Sequence, residues 1–209
     1  MKNHSLRYAS LKPPDVEGNL FVYHLKKLMG DSLVKKRGTR YALTPEGSHY
    51  IERLSLITAE PRIQPKIVTM IACQNREGEW LVYKRKHQPF LGLIGFPYGK
   101  VHLGEEIREA AVREFKEKTG LSSPLVHRGD LYSTVYEGNG LLSQIFCHVF
   151  YGKNPTGKLS ERSEYGNPFW TKITDLNSPK YMPAFADIVR LLRQKKRNRF
   201  FAEFVYHLD

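Results

Sequence analysis

The chain has 209 residues, room for a domain of about 150 residues beside a small partner, and its 33 lysines and arginines against 21 acidic residues give a net charge of +12. Such a surplus favours polyanionic partners such as nucleotides, nucleic acid or an anionic surface, without deciding the fold. The two cysteines, Cys73 and Cys147, stand in apolar strand-like runs with no C-x-x-C or Cys/His spacing, which speaks against a disulfide scaffold or a cysteine zinc site and for buried reduced thiols. Met1-Lys-Asn-His-Ser5 lacks an apolar signal core, and no run approaches the roughly 18 apolar residues of a spanning helix. A cytoplasmic chain with no membrane attachment is expected.

Residues 1–57 have their own logic. Phe21, Leu25, Leu28 and Met29 fall at i, i+4, i+7 and i+8, a spacing that gives a helix an apolar stripe, with Gly30 placed to end it. Asn19, Tyr23, Lys26 and Lys27 share the opposite face. Leu33–Arg37 and Arg40–Thr44 flank Gly38-Thr39, a two-residue connection with glycine first, as a type II′ hairpin prefers. Thr44-Pro45 supplies an N-cap and a proline at the first helical position, and Tyr50, Ile51 and Leu54 are the apolar residues of the helix that follows.

Helix, short basic hairpin and helix resemble the winged-helix DNA-binding family, with His24-Leu-Lys-Lys-Leu28 similar to its recognition helix and Arg40-Tyr-Ala-Leu-Thr-Pro-Glu-Gly47 to its wing and following helix. In that family the second helix of the helix-turn-helix enters the major groove. The resemblance therefore implies that Asn19, Tyr23, Lys26 and Lys27 lie near double-stranded DNA, and Lys35, Lys36, Arg37 and Arg40 near its phosphates. A solvated basic face is the competing reading. Winged-helix domains usually carry a helix ahead of the one suggested by Leu6–Leu11, and little sequence precedes Leu6. The small domain is accordingly expected to lack its first helix, either because the natural start lies upstream or because a homodimer partner or the larger domain covers its apolar side.

Pro61 and Pro65 bracket a polar linker over residues 58–65, and the second domain is expected over 66–209. Ile67–Cys73 and Trp80–Lys84 are apolar strand patterns separated by the turn Gln74-Asn-Arg-Glu-Gly78. Leu131–Tyr136 and Leu141–Phe150 surround Glu137-Gly-Asn-Gly140, a hairpin signal, and Met182–Arg193 is an amphipathic helix with Phe185, Ile188, Val189 and Leu192 at its core positions.

Between these strands lies Gly99-Lys-Val-His-Leu-Gly-Glu105-Glu-Ile-Arg-Glu-Ala-Ala-Val-Arg113-Glu114-Phe115-Lys-Glu117-Lys118-Thr-Gly120-Leu121. Six of its identities (Gly99, Glu105, Arg113, Glu114, Glu117, Gly120) coincide with the pattern G-x5-E-x7-R-E-U-x-E-E-x-G-U, where U is bulky and apolar. At common-residue usages of about 5–7% the coincidence at a given start has odds of roughly 10⁻⁷. That pattern is the Nudix box, and the segment resembles it closely. Strands on both sides of the box helix, followed by a closing helix, fit the Nudix αβα sandwich, an α/β fold.

The resemblance implies hydrolysis of a nucleoside diphosphate linked to another group, with Mg²⁺ or Mn²⁺ held by box glutamates. Magnesium takes hard oxygen ligands and is shared between one or two carboxylates, phosphates and water, where it neutralises charge and activates water. Residues 114, 117 and 118 span an arc of about 100° on a helix, so all three point into one site. By resemblance, Glu114 and Glu117 are metal ligands and the catalytic residues, Gly99 shapes the entering loop, Glu105 and Arg113 form a structural ion pair, and Gly120 ends the helix.

The sequence departs from the pattern at Lys118, which stands where the second glutamate of the E-E pair belongs. An ammonium about 4 Å from a second cation is repelled by about 4 kcal/mol at an effective dielectric near 20, so metal affinity should be weakened. Glu114 to Lys118 is also the favourable i, i+4 orientation for a helix ion pair. Two rescues are open: Lys118 could swing outward on its stem, or Glu137, Glu161 or Glu164 could supply the missing carboxylate or a general base. A second departure, Tyr98 before the box glycine, narrows the loop. Other anion-binding candidates are Lys84, Arg85 and Lys86, and Arg190, Arg193, Lys195, Lys196, Arg197 and Arg199; Phe90, Tyr98, Tyr136 and Trp170 are candidates for stacking on a base.

Two functions follow. One is an impaired or atypical Mg²⁺-dependent Nudix hydrolase. The other is a DNA-binding transcriptional regulator whose Nudix domain senses a nucleotide metabolite such as ADP-ribose, an analogy of fold alone.

Overall fold

The computed structural model describes residues 5–55, 57–161, 163–194 and 199–208. The chain divides into two compact units, Met1–Gln64 and Pro65–Asp209. The first holds β1 (Leu6–Arg7), α1 (Tyr8–Leu11), α2 (Gly18–Gly30), β2 (Val34–Arg37), β3 (Arg40–Leu43) and α3 (Pro45–Glu52), with sheet order β1-β3-β2. The hairpin turns at Gly38, whose φ of 59° is open to glycine at little cost. Thr44 caps α3 by accepting from Gly47 N at 2.9 Å, with Pro45 at the first helical position.

Three expectations in this unit need correction. The helix over Leu6–Leu11 is a single turn from Tyr8, because Leu6 and Arg7 pair with Tyr41 and Arg40 on the open edge of β3. Gly30 is the last helical residue, and the left-handed position that follows is filled by Ser32. The apolar stripes are also less buried than their spacing promised. Leu25 is buried, but Leu28 is 39% exposed. In α3, Gly47 of the first turn sits so close that a Cβ would overlap the Leu33 carbonyl, while Tyr50 and Ile51 one turn on remain 49% and 44% exposed. Leu54 lies past the helix and bridges to Pro61.

The second unit is built on β4 (Lys66–Gln74), β5 (Trp80–Arg85), β6 (Ile94–Gly95), β7 (Tyr98–Lys100), α4 (Ile107–Thr119), β8 (Leu121–Ser122), β9 (Val126–Glu137), β10 (Gly140–Lys153), β11 (Thr156–Gly157), β12 (Gly166–Thr171), α5 (Phe185–Arg193) and β13 (Phe200–Leu208). Its main sheet runs β12-β5-β4-β10-β9-β13, with β6 on β5 and β7 on β4; β10 is parallel to β4 and β13 to β9. Helix α4 packs Ala111 and Phe115 onto Ile71, Cys73, Leu81 and Phe150. Helix α5 packs Phe185, Ile188 and Val189 onto the opposite face with Val68, Met70, Leu131 and Val149. Covered on both faces, β4 reads as a continuous apolar run instead of an alternating one, and the layers make the αβα sandwich.

Both cysteines are free and buried. Burial pushes the Cys73 thiol up to about 12 and that of Cys147 upward as well, so neither is a ready thiolate. The 137–140 hairpin forms, but β9 starts earlier and β10 ends later than the sequence suggested, and α5 starts only at Phe185, after Ala184 turns the chain through a left-handed φ of 68°. The edge strand β13 was not anticipated. None of the described helices is long and apolar enough to cross a membrane.

Candidate functional site

The loop from β7 into α4 and the C-terminal half of α4 carry the charged cluster. Arg113 is its hub: Nε donates to Glu105 Oε1 at 2.6 Å, Nη2 donates to Glu105 Oε2 at 2.8 Å and to the Lys100 carbonyl at 3.1 Å, and Nη1 donates to Glu114 Oε1 at 2.7 Å. The bidentate fork fixes the loop to the helix. The guanidinium hydrogen bonds hold the Glu105 carboxyl down at about 2, helped by the His102 N–H, and raise the pKa of Arg113 in turn.

Glu114 is buried, and Gly99 is what makes room for it, since a Cβ on residue 99 would overlap the Glu114 carboxylate. Its other oxygen, Oε2, is 3.1 Å from Lys118 Nζ. Lys118 is only 11% exposed and its ammonium also lies 4.1 Å from the centre of the Tyr165 ring, a cation–π contact. The outward swing is therefore not the conformation adopted, because the inward one satisfies the ammonium twice. Glu117 is half exposed and touches Arg113 only at 3.4 Å. Gly120 ends the helix in the left-handed region at φ 73°, its N–H donating to Lys116 O at 2.8 Å.

Arg113, Glu114, Glu117, Lys118 and Tyr165 border a pocket of about 370 Å³ whose walls carry Lys66, Arg85, Lys100, Arg113 and Lys118 against Glu114 and Glu117. Five cations against two carboxylates leave three positive charges in excess. Tyr98 forms part of the wall, its hydroxyl pKa raised by burial, with the Arg85 guanidinium 5.5 Å from its ring centre. Arg85 is positioned by the loop after β5, donating from Nε to the carbonyls of His87 at 2.8 Å and Pro89 at 2.6 Å.

The remaining sequence candidates disperse. Neither Lys84 nor Lys86 lines the pocket, and Lys86 Nζ donates to the Ser163 carbonyl. Glu137, Glu161 and Glu164 are not in the wall either, although the segment of Glu164 borders it through Tyr165 and through its own carbonyl, 2.7 Å from His87 Nε2. Arg190 is engaged by Asp187 and Asn177, and Arg193 by the Ile173 carbonyl. Lys195, Lys196 and Arg197 lie outside the described residues, and Arg199 is an exposed residue just before β13. Tyr136 stacks on His207, Trp170 packs against the α4 core, and Phe90 is not in the wall. Sequence reasoning missed Lys66, Lys100 and Tyr165. The first two follow from strand pairing, since Lys100 lies opposite Val68, but nothing local marks Tyr165.

In the first unit, Asn19, Tyr23, Lys26, Lys27, Lys36 and Arg37 are exposed and Lys35 partly so. Arg40 is committed locally, donating to Ser5 Oγ at 2.9 Å and to the Ser5 carbonyl at 2.7 Å.

The family model of the NUDIX domain matches residues 64–192. An ADP-ribose pyrophosphatase of Methanocaldococcus jannaschii is 48% identical over 46 residues, 22% of this chain and 27% of the relative. The Nudix hydrolase YvcI of Bacillus subtilis is 26% identical over 95 residues, 44% of this chain and 60% of the relative. The chain thus spans between about a quarter and three fifths of these relatives' lengths. Among solved structures, a MutT protein from Bacillus halodurans superposes with a TM-score of 0.56 at 21% identity, covering 68% of this chain and 90% of that one. The NUDIX domain of Shewanella oneidensis NrtR, solved with ADP ribose, gives 0.54 at 14% identity, covering 72% and 97%. At such identities the superpositions establish the fold.

Proposed function

The chain belongs to the NUDIX family, and from that premise we propose that its Pro65–Asp209 unit binds a nucleoside diphosphate linked to a further group, of the ADP-ribose class, and hydrolyses it slowly. The observation that carries this reading is the pocket's charge: five cations converge where a diphosphate would lie, and one of them, Lys118, rests on Glu114 at 3.1 Å. The class of ligand is supported by the names of two of the proteins to which the chain is similar, the archaeal pyrophosphatase and the NrtR domain solved with ADP ribose.

Hydrolases of this family generally use a divalent ion such as Mg²⁺ or Mn²⁺, and Glu114 and Glu117 are the residues that would hold it. The donor set does not fit a tightly bound magnesium. Both Glu114 oxygens already face cations, Arg113 at 2.7 Å and Lys118 at 3.1 Å, which leaves Glu117, half exposed and touched by Arg113 at 3.4 Å, as the less engaged of the two carboxylates in the wall. Magnesium needs near-octahedral oxygen coordination, and Lys118 occupies the position of one ligand while adding repulsion. Weakened metal affinity follows. The phosphates are met instead by Lys66, Lys100 and Lys118, with Arg85 held behind them by backbone carbonyls, and the Glu105–Arg113 pair keeps the loop in place.

Calorimetric titration with ADP-ribose, ADP and inorganic phosphate, each with Mg²⁺ and with chelator, tests this beside a parallel assay of hydrolysis. ADP-ribose should bind under both conditions and turn over slowly where Mg²⁺ is present. Binding seen only with Mg²⁺, with rapid turnover, would overturn the reading.

A second reading rests on the helix, hairpin and helix of the first unit and its exposed Asn19, Tyr23, Lys26, Lys27, Lys36 and Arg37. In it this unit binds double-stranded DNA as a winged helix and the second unit is a nucleotide sensor. Each phosphate neutralised contributes a slope near −0.9 in log K against log salt, so replacing Lys35, Lys36 and Arg37 together should flatten the slope by about three units. Substitution at Asn19 or Tyr23 should instead alter sequence preference. Linkage requires that the nucleotide and DNA change each other's affinity by the same factor; a tightly bound nucleotide that leaves DNA affinity unchanged would remove the sensor, and DNA binding without salt dependence would remove the interface.

A further inference from the structure

Away from the pocket, β9 and β10 bring together three side chains able to ligate a metal. Asp130 lies opposite His148 in the ladder, and its Oδ1 is 2.7 Å from His148 Nδ1 and 2.9 Å from His127 Nε2. His127 and Asp130 are three residues apart, so in a regular strand they would point to opposite faces. A bulge removes the conflict. Val149 pairs with Gly129 but Phe150 pairs with His127, which leaves Arg128 as an extra residue in β9 and turns His127 to the side of Asp130 and His148. Gly129, inside the bulge, has no room for a side chain, since a Cβ would overlap the Phe200 carbonyl.

We propose that His127, Asp130 and His148 form a site for a zinc-class divalent ion, with a fourth position open to water or to an external ligand. The three donor atoms lie within 4.8 Å of one another. The side chains are 20%, 29% and 11% exposed in that order, shielded yet reachable. Phe150 lies 5.2 Å from the His127 ring and Phe146 meets the His148 ring edge-on at 5.1 Å, so both imidazoles pack against aromatic neighbours. Two imidazole nitrogens and one carboxylate oxygen suit zinc and its neighbours and not magnesium, which separates this cluster from the all-oxygen chemistry of the box.

The geometry is close to what an ion requires. Bonds of about 2.0–2.1 Å at tetrahedral angles set ligands roughly 3.3 Å apart. Each imidazole, now near 2.8 Å from the one carboxylate oxygen it shares, would retreat by roughly half an ångström as the ion replaced the two protons. A ligating histidine also needs a partner for its other ring nitrogen. Thr69 stands beside His148 in the parallel ladder, and its hydroxyl is the buried side-chain polar atom that lacks a hydrogen-bond partner among the described residues.

The test uses the full, untagged chain, stripped with chelator and titrated at neutral pH with Zn²⁺, and with Co²⁺ as a spectroscopic probe, in excess Mg²⁺. One equivalent should bind, with the visible absorption of a low-coordinate cobalt site. Asp130→Asn and His148→Ala should each weaken binding by more than the roughly 10–100-fold that loss of an outer partner costs. Because His148 is nearly buried, His127→Ala is titrated alongside, with circular dichroism to confirm folding. Absence of stoichiometric binding by the folded wild type, as expected if the cluster is held by protons alone, overturns the proposal, as does equal affinity in all folded variants.

Discussion

Helices α2 and α4 are both 13 residues long, yet they differ in what fixes their side chains. Helix α4 buries Ala110, Ala111, Glu114, Phe115 and Thr119, whereas α2 buries Leu25 alone. The charges on α4 are set by several partners at once: Arg113 serves three carboxylates and a carbonyl, and Lys118 lies between Glu114 and the Tyr165 ring. Those on α2, Lys26 and Lys27, face solvent. A residue pattern shared by many contacts specifies atoms, while an amphipathic period specifies only a face.

That contrast can be broken by mutation. The largest effect is expected from Arg113→Ala, which leaves the buried Glu114 carboxylate with Lys118 as its remaining charged partner. A cost of about 2–3 kcal/mol, below the 3–5 of a fully orphaned buried charge, should appear in urea unfolding of the Pro65–Asp209 transition. Gly99→Ala should cost about 1–3 kcal/mol as an overpacked site, because the new Cβ takes the space of the Glu114 carboxylate; a structure of this variant should show Glu114 displaced. Lys26→Ala on α2 should stay within about 0.5 kcal/mol of wild type. A loss there comparable to that at Arg113 would erase the distinction.

Acid sharpens the same point. Glu105 is held at about 2 from an ordinary value of 4.5 by Arg113. A carboxyl depressed in the folded state contributes stability that is fully present above its unfolded value and lost as pH falls through its folded one. The window is therefore pH 4.5 down to 2. Glu105→Gln should flatten the acid dependence of the unfolding midpoint in that window, and an unchanged slope would mean the pair does not report on folding.

Much of the second unit was legible in the sequence, for physical reasons that can be named. The box identities placed Gly99, Glu105, Arg113, Glu114, Glu117 and Gly120 around one loop and helix because their main partners lie close in sequence, Arg113 reaching Glu105, Glu114 and Lys100 within 13 residues. The apolar runs marked β4, β5 and β10 because strands covered on both faces need continuous apolar sequence. The cationic wall was legible only in part: Arg85 and Lys118 stood out in the sequence, but Lys66 and Lys100 join them only through strand pairing, and Tyr165 arrives from a loop after all of them. The His127–Asp130–His148 cluster was hidden for a sharper reason, since an i, i+3 pair in a strand signals nothing until a bulge puts both on one face. In the first unit the turn chemistry of Gly38 and Thr44 was readable, but the burial of Tyr50 and Ile51 was not, because α3 makes its close backbone contact at Gly47.

The most direct test of the account is Lys118→Glu, assayed for ADP-ribose hydrolysis against wild type over a range of Mg²⁺ concentrations. The substitution removes the ammonium 3.1 Å from Glu114 and restores a carboxylate. Relieving a repulsion of about 4 kcal/mol per unit of metal charge leaves ample room for at least a tenfold rise in turnover, each tenfold requiring about 1.4 kcal/mol, and half-saturation should move to lower Mg²⁺. Rapid wild-type turnover that falls on this substitution would contradict the account and make Lys118 part of a working mechanism.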